Sequence, residues 1–79
     1  MDRATILKQL EEARGNIIRA SANVARQREV IAELEREGHE AAGLARDLLA
    51  QFKQVLELHV ADQELLEREL RAAASQDER

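Results

Sequence analysis

Residues 34–41, Leu-Glu-Arg-Glu-Gly-His-Glu-Ala, interrupt an otherwise continuous helical pattern and decide how this 79-residue chain folds. Gly38 readily takes the left-handed conformation that closes a helix, and the polar residues around it suit a tight connection. A short connection makes the two helices that it joins antiparallel neighbours. The stretch therefore predicts helix 1 at about 3–36, a turn at about 37–40, helix 2 at about 41–73 and a polar tail at 74–79.

The first half carries side chains in the alternating three- and four-residue spacing of a coiled-coil seam. One row of this pattern is Leu10, Ile17, Val24 and Ile31, and the other is Ile6, Ala13, Ala20, Gln27 and Leu34. Asp2, just before the pattern begins, can cap the helix because its carboxylate accepts from free amides of the first turn. Gln27, a polar residue within the pattern, is typical of a position that selects register.

The second half carries a wider apolar stripe than one two-helix seam requires. Its rows are Ala45, Phe52, His59 and Leu66; Leu48 and Val55; and Leu49, Leu56 and Leu70. We predict a helix–helix core of Leu10, Ile17, Val24, Ile31, Leu48, Phe52 and Val55. We predict a partner interface of Ile18, Ala25, Leu49, Leu56, His59 and Leu66, the apolar surplus with the seam histidine.

A chain of this length buries only about 60% of its unfolded surface, so small domains usually add disulfides, a metal or a partner chain. No cysteine is present, which excludes disulfides and thiolate zinc sites. We therefore predict one all-α domain, 1–79, an antiparallel hairpin that dimerises into a four-helix bundle. The alternative is one continuous helix in a coiled coil, because counting in sevens from Ile31 reaches Gly38 and Ala45 without a phase shift. Glycine at a core position disfavours that alternative.

Composition also narrows the classes of function. The net charge of -4 and a single aromatic residue, Phe52, argue against nucleic-acid binding and against a ring-lined enzyme pocket. No apolar run approaches the roughly 18 residues of a membrane span or forms a signal peptide. We expect no enzymatic activity, no cofactor, no membrane association and a cytoplasmic location.

Two features of the sequence raise the question of metal binding or phosphate binding. His59 lies in the apolar stripe, but Leu56 stands three positions before it, where a bundle metal site of the Glu-x-x-His kind needs a carboxylate, so we expect no metal. Arg14, Arg19, Arg26 and Arg28 form an acid-free segment that could contact phosphates. The simpler interpretation is that they are solvated or pair with acids of helix 2, Arg14 with Glu64 and Arg19 with Glu57.

The predicted architecture resembles small bacterial helical-hairpin proteins that dimerise into four-helix bundles, such as the plasmid repressor-of-primer family. The resemblance is architectural, and no functional motif matches, so it implies no activity. The sequence predicts a non-enzymatic interaction module, structural or regulatory, that acts as a homodimer or with an unidentified protein partner. The alternative function is a small nucleic-acid-binding regulator that uses the Arg14, Arg19, Arg26 and Arg28 face.

Overall fold

Two helices account for nearly all of the chain in the computed structural model, which describes the backbone of residues 2–77 and the side chains through Ser75. α1 is Arg3–Arg36 and α2 is Ala42–Asp77. They pack against each other as an antiparallel hairpin with extents of 64 × 14 × 13 Å. The all-α hairpin is thus confirmed. A single continuous helix, which would extend about 105 Å at the α-helical rise, is wrong.

The start of each helix is capped by a side chain. Asp2 Oδ1 accepts from the Thr5 amide at 2.8 Å, as the sequence predicts for an N-cap. At the start of α2, the ring nitrogen Nδ1 of the exposed His39 accepts from the Ala41 amide at 3.0 Å. The His39 side chain therefore satisfies one of the free amides at the beginning of α2.

Gly38 ends α1 in a Schellman motif. Its φ of 65° lies in the left-handed region. The Gly38 amide donates to the Glu35 carbonyl at 3.1 Å, and the His39 amide donates to the Leu34 carbonyl at 2.8 Å. These two bonds satisfy carbonyls that the last turn would otherwise leave unpaired.

α2 ends four positions beyond the predicted boundary at residue 73, at Asp77. Ala72, Ala73 and Ala74 are strong helix formers. Ala73 also packs against the core cluster formed by Ile6, Leu10, Ala13 and Leu66. The helix continues because its last turns gain tertiary contacts as well as favourable backbone propensity.

The two helices meet along a seam of period 3.5. Every buried side chain of α1 belongs to the predicted pattern: Ile6, Leu10, Ala13, Ala20, Val24, Gln27 and Ile31. On α2, the buried and half-buried residues at the same spacing are Ala42, Ala45, Leu49, Phe52, Leu56, His59, Gln63, Leu66, Leu70 and Ala73. The seam therefore uses one heptad pattern on each helix.

Several assignments of α2 side chains need correction. Leu48 and Val55, predicted in the core, are 40% and 45% exposed. Leu66, predicted at a partner interface, is 6% exposed within the hairpin core. Leu48 and Val55 each lie one position before a residue of the seam, and one position rotates a side chain by about 100°. α2 is turned so that the row of Leu49 and Leu56 joins the seam.

Polar contacts between the helices are few. Gln27 Nε2 donates to the Ala45 carbonyl oxygen at 2.9 Å, a buried bond that ties the two helices together near the turn. Arg46 and Glu35 form an exposed ion pair at 2.8 Å, the one present among the described side chains.

The predicted pairs of Arg14 with Glu64 and of Arg19 with Glu57 are therefore wrong. The Arg19 guanidinium instead donates to Asn16 Oδ1, one turn earlier on the same helix, at 2.7 Å. Long exposed side chains gain little from an ion pair across the helices, so a local hydrogen bond competes well with it.

Candidate interaction surface

A second heptad pattern runs along the exposed flank of α2, outside the seam. We call it the outer stripe, and its members are Leu44, Leu48, Gln51, Val55, Leu58, Asp62, Leu65 and Glu69. Steps of four and three residues separate these positions along their whole length. Such spacing is typical of a face that packs against another helix. The stripe lies at roughly a right angle to the seam, given about 100° of rotation per residue.

The apolar members of the outer stripe are far more exposed than core residues. Leu44 is 73% exposed, Leu58 is 70% exposed, and Leu48, Val55 and Leu65 lie between 40% and 48%. Exposed single apolar residues are ordinary in proteins, but a contiguous apolar surface marks an interaction site. The five leucine and valine side chains share one face of α2 at a helix-packing spacing, with Gln51 and Asp62 between them.

At the turn end, the stripe borders an open groove between the helices, with a volume of about 490 Å³. α1 contributes Gln27, Val30 and Leu34 to this groove, and α2 contributes the seam residue Ala45 together with Leu44, Asp47, Leu48 and Gln51 of the outer stripe and its flank. The last four occupy positions i, i+3, i+4 and i+7. That is the arrangement of the hole that receives one knob residue in knobs-into-holes packing.

Ile18 and Ala25, the predicted α1 part of a partner interface, are exposed, Ile18 at 70%. Ile18 follows the seam residue Ile17 by one position, whereas Val30 precedes the seam residue Ile31 by one. The two therefore lie on opposite edges of the seam. Since Val30 borders the groove, Ile18 and Ala25 are on the side of the hairpin away from the outer stripe.

The remaining predicted interface residues of α2 lie in the seam. Leu49, Leu56 and His59 are half-buried there. Leu44, Leu58 and Leu65 are absent from the predicted interface although they are among the most exposed apolar residues. The signal that could have identified them is the second four-three spacing, which starts at Leu44.

The four arginines of the alternative function are exposed but do not share a face. Arg14 and Arg28 are two heptads apart and form one row, while Arg19 and Arg26 are one heptad apart and form another. The step of five residues from Arg14 to Arg19 rotates the side chain by about 140°. A phosphate backbone lying along α1 would therefore meet two of these charges at a time.

Neither a metal site nor a membrane span is evident in the part of the chain that the structure describes. Within residues 2–75, no three His, Cys, Asp or Glu side chains come together in a way that could hold a metal ion. Neither described helix combines the length and apolar character that a membrane crossing needs. Every fully buried side-chain nitrogen or oxygen in this range has a hydrogen-bond partner.

Comparisons with known proteins give no further assignment. The sequence matches no protein-family model, no curated protein and no solved structure.

Proposed function

We propose that this protein is a non-enzymatic interaction module that acts by forming a homodimer, a four-helix bundle, through the outer stripe of α2. The observation that carries the proposal is the exposure of Leu44, Leu48, Val55, Leu58 and Leu65 at a helix-packing spacing. A hairpin of this size buries little apolar surface by itself. A second copy would bury the apolar side chains of the outer stripe that the single hairpin leaves exposed.

The expected affinity is modest. Full burial of a leucine or valine contributes about 1.5–3 kcal/mol, and these side chains are already partly covered. The gain from two stripes, on the order of 10 kcal/mol, is comparable with the association cost of about 4–15 kcal/mol. Even at the lower end of that cost the surplus is about 6 kcal/mol, which corresponds to a Kd of roughly tens of micromolar, so we expect a weak dimer that assembles as the concentration of the chain rises.

Substitution of one exposed leucine tests the proposal against a matched control. Leu58 and Ile18 are both 70% exposed, and they lie on opposite sides of the hairpin. Light scattering over about 1–100 μM, the range of weak dimers, should show a dimer of the parent chain. Leu58→Lys should make the protein monomeric, and Ile18→Lys should leave the dimer intact. Both variants should remain helical, since exposed substitutions change stability by about 0.5 kcal/mol or less.

Two results would contradict the proposal. A parent chain that stays monomeric throughout this range would show that the outer stripe does not self-associate. A dimer that Ile18→Lys disrupts and Leu58→Lys does not would place the interface on the Ile18 side of the hairpin.

A further inference from the structure

We propose that the two copies pair their outer stripes in antiparallel orientation, in a single register that sets Gln51 of each copy against Asp62 of the other. The inference rests on the proposed function and adds the orientation, the register and the polar layer that selects them. Gln51 and Asp62 interrupt the stripe in the middle and are exposed in the single chain. They need polar partners when a second helix covers them.

Charge decides the orientation. In a parallel pairing, Asp62 would face Asp62 and Glu69 would face Glu69 of the other copy. Like charges set against each other at an interface oppose association. An antiparallel pairing separates each of these carboxylates from its symmetry mate, so the second copy runs in the opposite direction.

The two polar interruptions decide the register. When Gln51 faces Asp62, Leu48 faces Leu65 and Val55 faces Leu58, with the two-fold axis between Val55 and Leu58, and Leu44 faces Glu69 at the two outer ends of the contact. In this arrangement the Gln51 amide donates to the Asp62 carboxylate in two symmetric pairs. Sliding one copy by a heptad in either direction would set Asp62 against Leu44 or Leu58 and leave its charge without a partner.

The surface of α2 has a depression at one position that this register requires. Leu65 of the second copy falls on the hole formed by Leu44, Asp47, Leu48 and Gln51, which lines the groove at the turn end. A leucine at that position would also cover the exposed side chains of the groove.

A second depression is lined by Gln54, Glu57 and Leu58, which repeat the spacing of Leu44, Asp47 and Leu48. This depression lies on the side of the stripe away from the seam, so Val55 of the second copy packs against Leu58 without entering it. The knob at position 65 therefore meets a hole, and by symmetry each copy supplies one such knob and one such hole.

The flank of the stripe is complementary in the same register. Asp47 and Arg68 lie on the row next to the stripe, on the side away from the seam, and both are exposed. The antiparallel pairing brings Asp47 of one copy alongside Arg68 of the other. Such rim charges favour one partner orientation over another more than they raise affinity.

Disulfide cross-linking tests orientation and register, because the chain has no cysteine of its own. The double variant Leu48→Cys/Leu65→Cys should form a covalent dimer on mild oxidation that reductant reverses. Leu48→Cys alone should not, since its two copies would be about 25 Å apart along the helices and a disulfide needs Cα atoms within about 7 Å. Both substituted leucines are exposed, so the hairpin should fold.

The outcomes separate this inference from the proposed function. A monomeric parent chain by light scattering would end both. A dimeric parent chain whose double variant fails to cross-link, or whose Leu48→Cys variant cross-links to itself, would overturn the antiparallel register and leave the homodimer standing.

A charge exchange tests the polar layer. Gln51→Glu sets two carboxylates against each other and should raise the dimer Kd at least about tenfold at neutral pH. Asp62→Asn alone should change it by less than about threefold, because two amides still hydrogen-bond. Gln51→Glu/Asp62→Asn should return the Kd to within about threefold of the parent value, since coupled residues compensate each other. A double variant as weak as Gln51→Glu would show that the two positions do not face each other.

Discussion

Gly38 holds a φ of 65°, and the turn depends on that angle. Side chains larger than glycine strain the backbone in the left-handed region, because Cβ approaches the following carbonyl oxygen. No atom lies within 4 Å of the position where a Cβ would be built at Gly38, so crowding plays no part. The requirement for glycine at the turn is therefore conformational.

Gly38→Ala should lower the free energy of unfolding by roughly 1–2 kcal/mol, the cost of a left-handed non-glycine residue. Gly15→Ala is the matched control, since it should instead raise stability by up to about 1 kcal/mol through better helix propensity. A Cβ at Gly15 would meet the Arg19 guanidinium at 3.5 Å, an ordinary contact. Urea denaturation of both variants at one protein concentration measures the difference. Equal effects of the same sign would contradict this account of the turn.

The stabilisation that Asp2 gives to the start of α1 should depend on pH. The Thr5 amide that donates to its carboxylate favours the charged form and lowers the Asp2 pKa below the ordinary 3.8. Because the folded pKa is depressed, the stabilisation by the cap is fully present above pH 3.8 and is lost as pH falls through the lower folded value.

Titration by NMR checks this prediction. The Asp2 carboxyl should titrate below 3.8, and the Thr5 amide resonance should move with the same midpoint. Asp2→Asn keeps an oxygen acceptor without a titrating group, so its Thr5 amide should show no such movement. An Asp2 midpoint at or above 3.8 would show that the hydrogen bond from the Thr5 amide does not lower the pKa of this carboxyl.

Among the elements, α1 concentrates its most buried large side chains near its start. Ile6 and Leu10 are each 2% exposed and cluster with Ala13 and Leu66 at the end of the hairpin away from the turn. Towards the turn, the seam contains the small Ala20 and the polar Gln27, whose amide bonds to the α2 backbone. The most buried large side chains thus hold one end of the hairpin, while Val24, Ile31 and the Gln27 bond hold the seam towards the turn.

Leu10→Ala should lower the free energy of unfolding by about 2–5 kcal/mol, because it leaves a cavity in the only cluster of large buried side chains among the described residues. Leu7→Ala, on the same helix and 46% exposed, should cost clearly less. Chemical denaturation followed by circular dichroism compares the two. Similar losses for both variants would mean that the seam of α1 is placed on the wrong rows.

At the scale of the whole molecule, the hairpin is a narrow rod that carries the outer stripe along one flank. Its Cα radius of gyration is 18.0 Å and its length is 64 Å. The outer stripe runs along most of α2, from Leu44 to Glu69, and is not confined to one end of the rod. A partner that covers the stripe must therefore lie beside the hairpin.

Small-angle scattering should show that the two hairpins of the proposed dimer lie side by side. Antiparallel pairing about an axis between Val55 and Leu58 offsets the two copies by about 9 Å, at 1.5 Å per residue. The maximum dimension should therefore rise only slightly above the 64 Å of one hairpin while the mass doubles. An end-to-end dimer would be nearly twice as long, and that result would exclude pairing through the outer stripe.

The sequence by itself determined the two helices, the turn at Gly38, the cap at Asp2 and the seam of α1. These features depend on local chemistry: a glycine that tolerates positive φ, an aspartate beside free amides, and one unambiguous heptad pattern in α1. Features that depend on residues close together in the chain can be predicted from the sequence.

Only the tertiary structure decided which rows of α2 enter the seam. Leu48 with Leu49, and Val55 with Leu56, are adjacent apolar pairs, so spacing alone allows either row to face α1. The choice is a rotation of α2 about its own axis, and the packing of Leu66 against Leu10 sets it together with the bond from Gln27 to the Ala45 carbonyl. Contacts between residues far apart in sequence set this rotation angle, so spacing along the chain does not reveal it. The outer stripe is the apolar face of α2 that this rotation leaves exposed.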